Sequence, residues 1–102
     1  MTDRKMRKII QEFRRRKLNG GESAGWCQDI CIPLAKRLKK IGYEVAPVSG
    51  RVNGGYHYWI EYGSIIIDPT ADQFTMPDGK PMPKIYIGPQ PSWYRKLGGE
   101  DA

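Results

Sequence analysis

The sequence predicts an α+β domain, and three observations carry that expectation. Apolar residues recur at helical spacing in two segments that end before Gly42. From Glu44 to Asp68 the period shortens to two, the signature of strands. From Pro69 onward lie six of the eight prolines, which predicts an irregular tail. A chain of 102 residues encloses one modest core. The expected organisation is a single domain over 1–102, with a basic N-terminal helix (1–18), a core (19–74) and a proline-rich tail (75–102) packed on that core.

In the first helix, predicted over residues 3–17, Met6, Ile9, Ile10, Phe13 and Leu18 form the apolar stripe, and Asn19-Gly20-Gly21 is the stop. Gly20 to Gly25 reads as a flexible loop. The second helix starts near Trp26 and ends at Gly42, with Ile30, Leu34, Leu38 and Ile41 as its buried stripe and Pro33 distorting an early turn. Glu44–Val48 is the first predicted strand, and Gly50–Gly55 is turn-like, with Asn53-Gly54 the strongest turn signal. Tyr56–Tyr62 and Ile65–Asp68 are strands joined by a two-residue loop, Gly63-Ser64. Lys84–Ile87 is an expected edge strand. Trp93, Tyr94 and Leu97 are expected to pin the tail, and Gly98–Ala102 to fray.

The net charge of +6 resides at one end. Residues 1–17 hold eight basic and two acidic residues, whereas residues 18–102 hold nine of each sign. That segment is a solvated helix face or a surface for an acidic or nucleic-acid partner. No apolar run reaches the roughly 20 residues of a membrane helix. The charged start lacks a signal-peptide core, so a cytoplasmic monomer is expected, with no membrane association.

Cys27 and Cys31 are the only cysteines and His57 is the only histidine. Two cysteines four residues apart on one helix project in parallel and make a poor disulfide. A thiol becomes a nucleophile as its thiolate, which a helix N-terminus favours. Cys27 stands at that N-terminus after Gly25-Trp26, and Cys31 lies one turn deeper, so Cys27 is the candidate nucleophile. If Gly63-Ser64 is a two-residue loop, Trp59 falls opposite Asp68 and His57 opposite Thr70. His57 and Asp68 then sit diagonally on one sheet face, within side-chain reach. A carboxylate there holds the imidazole in one tautomer and supports its protonated form. Cys27, His57 and Asp68 thus supply nucleophile, base and orienting group. The backbone N–H of Cys27 is one candidate oxyanion donor; Gln11, Gln28 and Trp26 are candidates for the second.

Three short motifs carry a resemblance. Gly25-Trp26-Cys27-Gln28-Asp29 with its helix resembles the G-x-C-x-D segment of the transglutaminase-like branch of the papain-like superfamily. His57-Tyr58-Trp59-Ile60-Glu61 resembles that family's H-x-W-x-E strand, and Ile67-Asp68-Pro69-Thr70 its D-P-T. The longer stretch Asp68–Phe74 is similar to small papain-fold toxin and effector domains. The resemblance covers residues 25–74 and implies a minimal papain-like core, in which the cysteine-bearing helix packs on a small antiparallel sheet, with the basic helix as an addition. It implies Cys27 as nucleophile, His57 as general base and acid, and Asp68 as third member of a triad. It further implies a thioester intermediate and a protein or peptide substrate, with peptidase, glutamine deamidase and acyl transferase as the outcomes. No cofactor and no calcium motif is expected.

Two rival readings use the same residues. Cys27, Cys31, His57 and Asp68 number four zinc-ligand types. The basic helix with Tyr56, Tyr58, Trp59 and Tyr62 offers a nucleic-acid surface, or a protein-binding surface on a catalytically inactive scaffold.

Overall fold

The computed structural model describes residues 4–21 and 25–96. Helix α1 spans Arg4–Leu18 and α2 spans Cys27–Ile41; strands β1 (Val45–Val52), β2 (Gly55–Tyr62), β3 (Ile65–Asp68), β4 (Tyr86–Gly88) and β5 (Tyr94–Lys96) follow, with a short 3-10 helix at Ala71–Gln73 between β3 and β4. The five strands form one antiparallel sheet in the order β4-β3-β2-β1-β5. Among the described residues, no helix is long and apolar enough to cross a membrane.

Both helices end where a left-handed residue turns the chain. Asn19 and Gly20 follow α1 with φ of 48° and 84°. Gly42 follows α2 at φ 124°, and its N–H bonds the Leu38 and Lys39 carbonyls. Helix α2 runs through Pro33, which removes one N–H from the ladder without ending it. Its buried stripe is Ile30, Cys31, Leu34, Ala35 and Leu38. Ile41, expected in that stripe, is 40% exposed. The chain turns at Gly42, and Ile41 is not part of the helix-side core.

The β1–β2 hairpin is longer than the sequence suggests. Val52 pairs with Gly55, and only Asn53 (φ 53°) and Gly54 (φ 84°) form the turn. Two successive positive φ values match the right-handed twist of the strands they join. Gly50, expected in a turn, is a buried strand residue. A Cβ there would collide with the Trp59 ring and the Arg95 carbonyl. Here glycine permits close approach of a neighbour rather than a bend. The β2–β3 hairpin follows the expected register, with Tyr62, Glu61 and Ile60 opposite Ile65, Ile66 and Ile67.

The sheet separates two apolar layers. On one face, Met6 and Ile10 of α1 and Cys31, Leu34, Ala35 and Leu38 of α2 pack on Val45, Ile60 and Ile67. On the other, Val52, Trp59, Ile66 and Tyr94 are covered by Ala71 and Met82 of the tail. Met82 and Tyr94 of the tail therefore belong to the second layer, although the tail's sequence looks like loop. Lys84 and Ile85, expected in the edge strand, precede β4. Strand β5 extends the opposite edge by pairing Val52 with Tyr94. Tyr94 is buried as expected; Leu97 and 98–102 lie outside the described residues.

The chain crosses from β4 at one edge to β5 at the other in six residue steps, Gly88 to Tyr94. Fully extended, these span about 20 Å. Four flat strand spacings need about 19 Å. The Tyr94 hydroxyl also donates to Asp68 of β3, which lies three spacings from β5, or roughly 14 Å on a flat sheet. The segment is not fully extended, since the Tyr94 N–H bonds the Pro91 carbonyl, and both constraints are met because the sheet curls toward the tail-covered face.

Gly50→Ala should lower unfolding free energy by roughly 1–3 kcal/mol, the range for overpacking a close-packed core. Urea denaturation measures it; an unchanged midpoint would contradict the close contact with Trp59.

Candidate active site

The hairpin register decides which backbone groups are available beside α2. In a two-residue hairpin the closing pair, Tyr62–Ile65, is hydrogen-bonded, and hydrogen-bonded pairs recur every second residue. The next is Ile60–Ile67, and the following position sets Tyr58 against Pro69. Proline has no N–H to offer, and the ladder stops there. The Tyr58 peptide groups freed on that side meet α2 instead. The Cys31 thiol donates to the Tyr58 carbonyl at 3.2 Å. The Tyr58 backbone also hydrogen-bonds the Cys27 sulfur and favours its anion, which identifies the contacting group as the N–H.

Cys27 is the first residue of α2, after Gly25 in the left-handed region (φ 83°) and Trp26 as N-cap. Trp26 makes no side-chain capping bond, so the first helical N–H groups are not occupied by a cap. The Gln28 N–H also contacts the sulfur. Cys27 is half-buried and Cys31 fully buried, both as free thiols.

His57 is 1% exposed and lies on the tail-covered face. Its Nε2 is 2.8 Å from Asp68 Oδ2. The edge of its ring packs against Phe74, with centroids 4.6 Å apart. Asp68 is 0% exposed and well supplied with donors. Besides His57, its Oδ2 accepts from the Tyr94 hydroxyl at 2.5 Å, and its Oδ1 accepts from the Thr70 N–H and Oγ1 at 3.1 and 3.4 Å. A buried carboxylate requires such a set, since an unpartnered one costs several kcal/mol. With Nε2 committed to Asp68, Nδ1 is the imidazole nitrogen left for the hydrogen bond between His57 and Cys27.

The structure thus brings the side chains of Cys27, His57 and Asp68 into one hydrogen-bonded chain. Burial pushes the Cys27 thiol up, but the hydrogen bond from His57, the Tyr58 and Gln28 N–H groups and the imidazolium charge outweigh it, and the net shift is downward from 9.0. Burial pushes His57 down, and the hydrogen bonds and charges of Asp68 and Cys27 reverse this, raising it to about 9. Opposite shifts in a contacting pair favour a thiolate beside an imidazolium. Cys31 shows the contrast. Burial, then the charges of Asp68 and Cys27, push its thiol well up, so it stays protonated and donates to Tyr58.

Two further residues join the site. Gln73, from the 3-10 turn, places its Nε2 3.4 Å from His57 Nδ1 and is held by the Thr70 carbonyl and Oγ1 at 3.1 and 3.0 Å. The sequence signal for it was its place in the stretch Asp68–Phe74, five residues beyond Asp68. Arg14 of α1 donates Nε–H to the Pro69 carbonyl at 2.8 Å and bridges Asp72 at 2.7 Å. The basic helix therefore grips the turn that follows Asp68. Nothing in the sequence distinguishes Arg14 from its neighbours, because its partners lie more than fifty positions away. Of the expected second oxyanion donors, Gln11, Trp26 and Gln28 are all exposed, whereas Gln73 faces the imidazole.

Two observations bear on the rival readings. Among the described residues no three His, Cys, Asp or Glu side chains converge as a metal site. Of the four aromatics proposed as a stacking surface, Trp59 is buried, Tyr58 and Tyr62 are half-buried in the helix-side layer, and only Tyr56 is exposed. The Tyr56 ring is covered by Arg51, 4.4 Å from its centroid. Comparisons with protein families, curated proteins and solved structures find no match to this chain.

Arg14→Ala should lower stability by about 1–3 kcal/mol, the range for losing charge-assisted hydrogen bonds, and should slow alkylation of Cys27 at pH 6. Arg14→Lys should recover only part of both, since one ammonium reproduces the two-sided grip poorly. Urea denaturation and iodoacetamide kinetics report the two effects; a loss of stability with unchanged alkylation would separate Arg14 from the site.

Proposed function

We propose that this chain is a thiol-dependent enzyme acting on amide bonds through Cys27, His57 and Asp68, built on a minimal transglutaminase-like core. One observation carries the reading: a half-buried thiol at a helix start is hydrogen-bonded to the chain's only imidazole, whose other nitrogen is held by a fully buried carboxylate. The motifs G-W-C-Q-D, H-Y-W-I-E and D-P-T add to it from the sequence.

In this reading the Cys27 thiolate attacks the carbonyl carbon of an amide, and the C–S bond forms as the carbonyl π electrons move to oxygen. The oxyanion meets the backbone N–H of Cys27. As the C–N bond breaks, imidazolium His57 passes its Nδ1 proton to the departing nitrogen. A thioester remains. His57, now neutral, takes a proton from water or from an amine that attacks the thioester, and the thiolate is regenerated. Water gives hydrolysis or glutamine deamidation, and an amine gives acyl transfer. Asp68 keeps Nε2 protonated throughout, so that Nδ1 is the nitrogen that exchanges the proton. Tyr94 and Thr70 hold Asp68 in turn.

The pH profile follows from the two shifts. Activity needs Cys27 ionised and His57 protonated. The rising limb of kcat/KM therefore lies below the ordinary thiol value of 9.0, and the falling limb lies near 9, where His57 loses its proton. Iodoacetamide alkylation has no leaving-group proton to supply, so it should rise and then plateau without the falling limb.

The direct test is alkylation of the native protein at pH 6 followed by peptide mapping. Cys27 should be labelled and Cys31 spared. His57→Ala should slow labelling by roughly 10²-fold, because the thiol reverts to an ordinary, mostly protonated one. Labelling of Cys31 first, or an unchanged rate in His57→Ala, would end the proposal. Intact-mass measurement with a glutamine peptide, with and without an added amine, then separates hydrolysis from transfer.

A further inference from the structure

Resting on that reading, we propose that the groove between α1 and the 72–73 turn binds an acidic stretch of the peptide substrate, within about three residues of the amide that Cys27 attacks. The groove encloses about 910 Å³, within the range of peptide-binding and ligand-binding clefts. On the helix side it is lined by Arg7, Gln11, Arg14 and Leu18, spaced to form one stripe beside the buried Met6–Ile10 stripe. Asp72 and Gln73 line its floor and Lys84 the opposite bank. Gln73 is thus shared: its amide faces His57, and the same residue borders the groove.

The net charge of the groove is positive. Arg7, Arg14, Arg15 and Lys84 line it, against the single carboxylate of Asp72, which Arg14 already bridges. Arg15 shares the exposed Glu12 with Arg16. Arg7 and Lys84 have no salt-bridge partner among the described residues. The cations in this cleft therefore attract carboxylates. From Arg14, beside the site, to Arg7 the helix rises about 10 Å, the span of three extended residues. A second groove on the far side of α1, bordered by Lys5, Lys8, Phe13 and Arg37, touches none of the site residues. An extended polypeptide fits better than nucleic acid, because no aromatic ring lines this groove to stack on bases.

The test uses the full chain with Cys27→Ala and two fluorescein-labelled hexapeptides with a central glutamine. One has flanking glutamates and the other glutamines in their place. Anisotropy should show the glutamate peptide binding at least about tenfold more tightly. Arg7→Glu with Lys84→Glu should abolish that preference, and the milder Arg7→Gln with Lys84→Gln should reduce it if the double reversal does not fold. With the wild-type chain, the glutamate peptide should slow alkylation of Cys27. Equal affinity for both peptides would overturn the proposal, as would binding that leaves alkylation unchanged. Tighter binding of a thymidine oligonucleotide of the same charge would also overturn it, in favour of a nucleic-acid surface. The readouts do not depend on turnover. Selective binding with protection, but no thioester on any peptide, keeps the groove and removes the enzyme reading. Thioester formation on both peptides at equal rates keeps the enzyme and removes the groove.

Discussion

The buried carboxylate of Asp68 is the constraint on which the rest of the structure depends. A charge with no exposure to water is tolerable only when surrounded by donors, and here they come from three parts of the chain. His57 belongs to β2, Thr70 to the turn after β3, and Tyr94 to the last strand. Satisfying one side chain therefore ties the central hairpin to the turn and to the tail. It also explains the curl of the sheet, since Tyr94 reaches Asp68 only if the edges fold toward that face. The same carboxylate sets the character of the imidazole. Burial by itself disfavours the imidazolium, and Asp68 reverses that preference.

Pro69 contributes a second, quieter constraint. By ending the β3 ladder opposite Tyr58, it leaves the N–H and C=O of that one residue facing α2. The two cysteines use the two groups in opposite ways. Cys27 receives the N–H, which favours a thiolate, and Cys31 gives its proton to the carbonyl, which favours a thiol. Their reactivities diverge through which backbone group of Tyr58 each one meets, together with the depth at which each lies. Helix α1 adds the outer brace: Arg14 fixes the Pro69 carbonyl and Asp72, so a helix that reads as a charged appendage is continuous with the site.

Much of this is legible in the sequence. The Gly63-Ser64 loop determined the β2–β3 register, and that register alone brought His57 and Asp68 within reach. Helix α2 was legible from its stripe and from Gly42, and Cys27 from its place at the helix start. What escaped the sequence depends on contacts between distant positions. Gly50 looked like a turn because glycine usually marks one, whereas its role is to admit the Trp59 ring. Strand β5, three residues long with two charges, carries no period of its own and exists because β1 offers an edge. Arg14 had nothing local to distinguish it, since its partners lie more than fifty positions away, and Gln73 had only its place in the stretch Asp68–Phe74. Ile41 kept the helical spacing, but it sits at the last turn of α2 and is exposed.

His57 is the only histidine, so its imidazole gives an unambiguous NMR signal. The most direct measurement is its nitrogen-15 titration in the wild-type chain and in Cys27→Ala. The account predicts both ring nitrogens protonated at pH 7, with loss of a proton near 9, and a lower titration point once the sulfur is removed. A neutral imidazole at pH 7 that titrates near 6.5 in both proteins would contradict it.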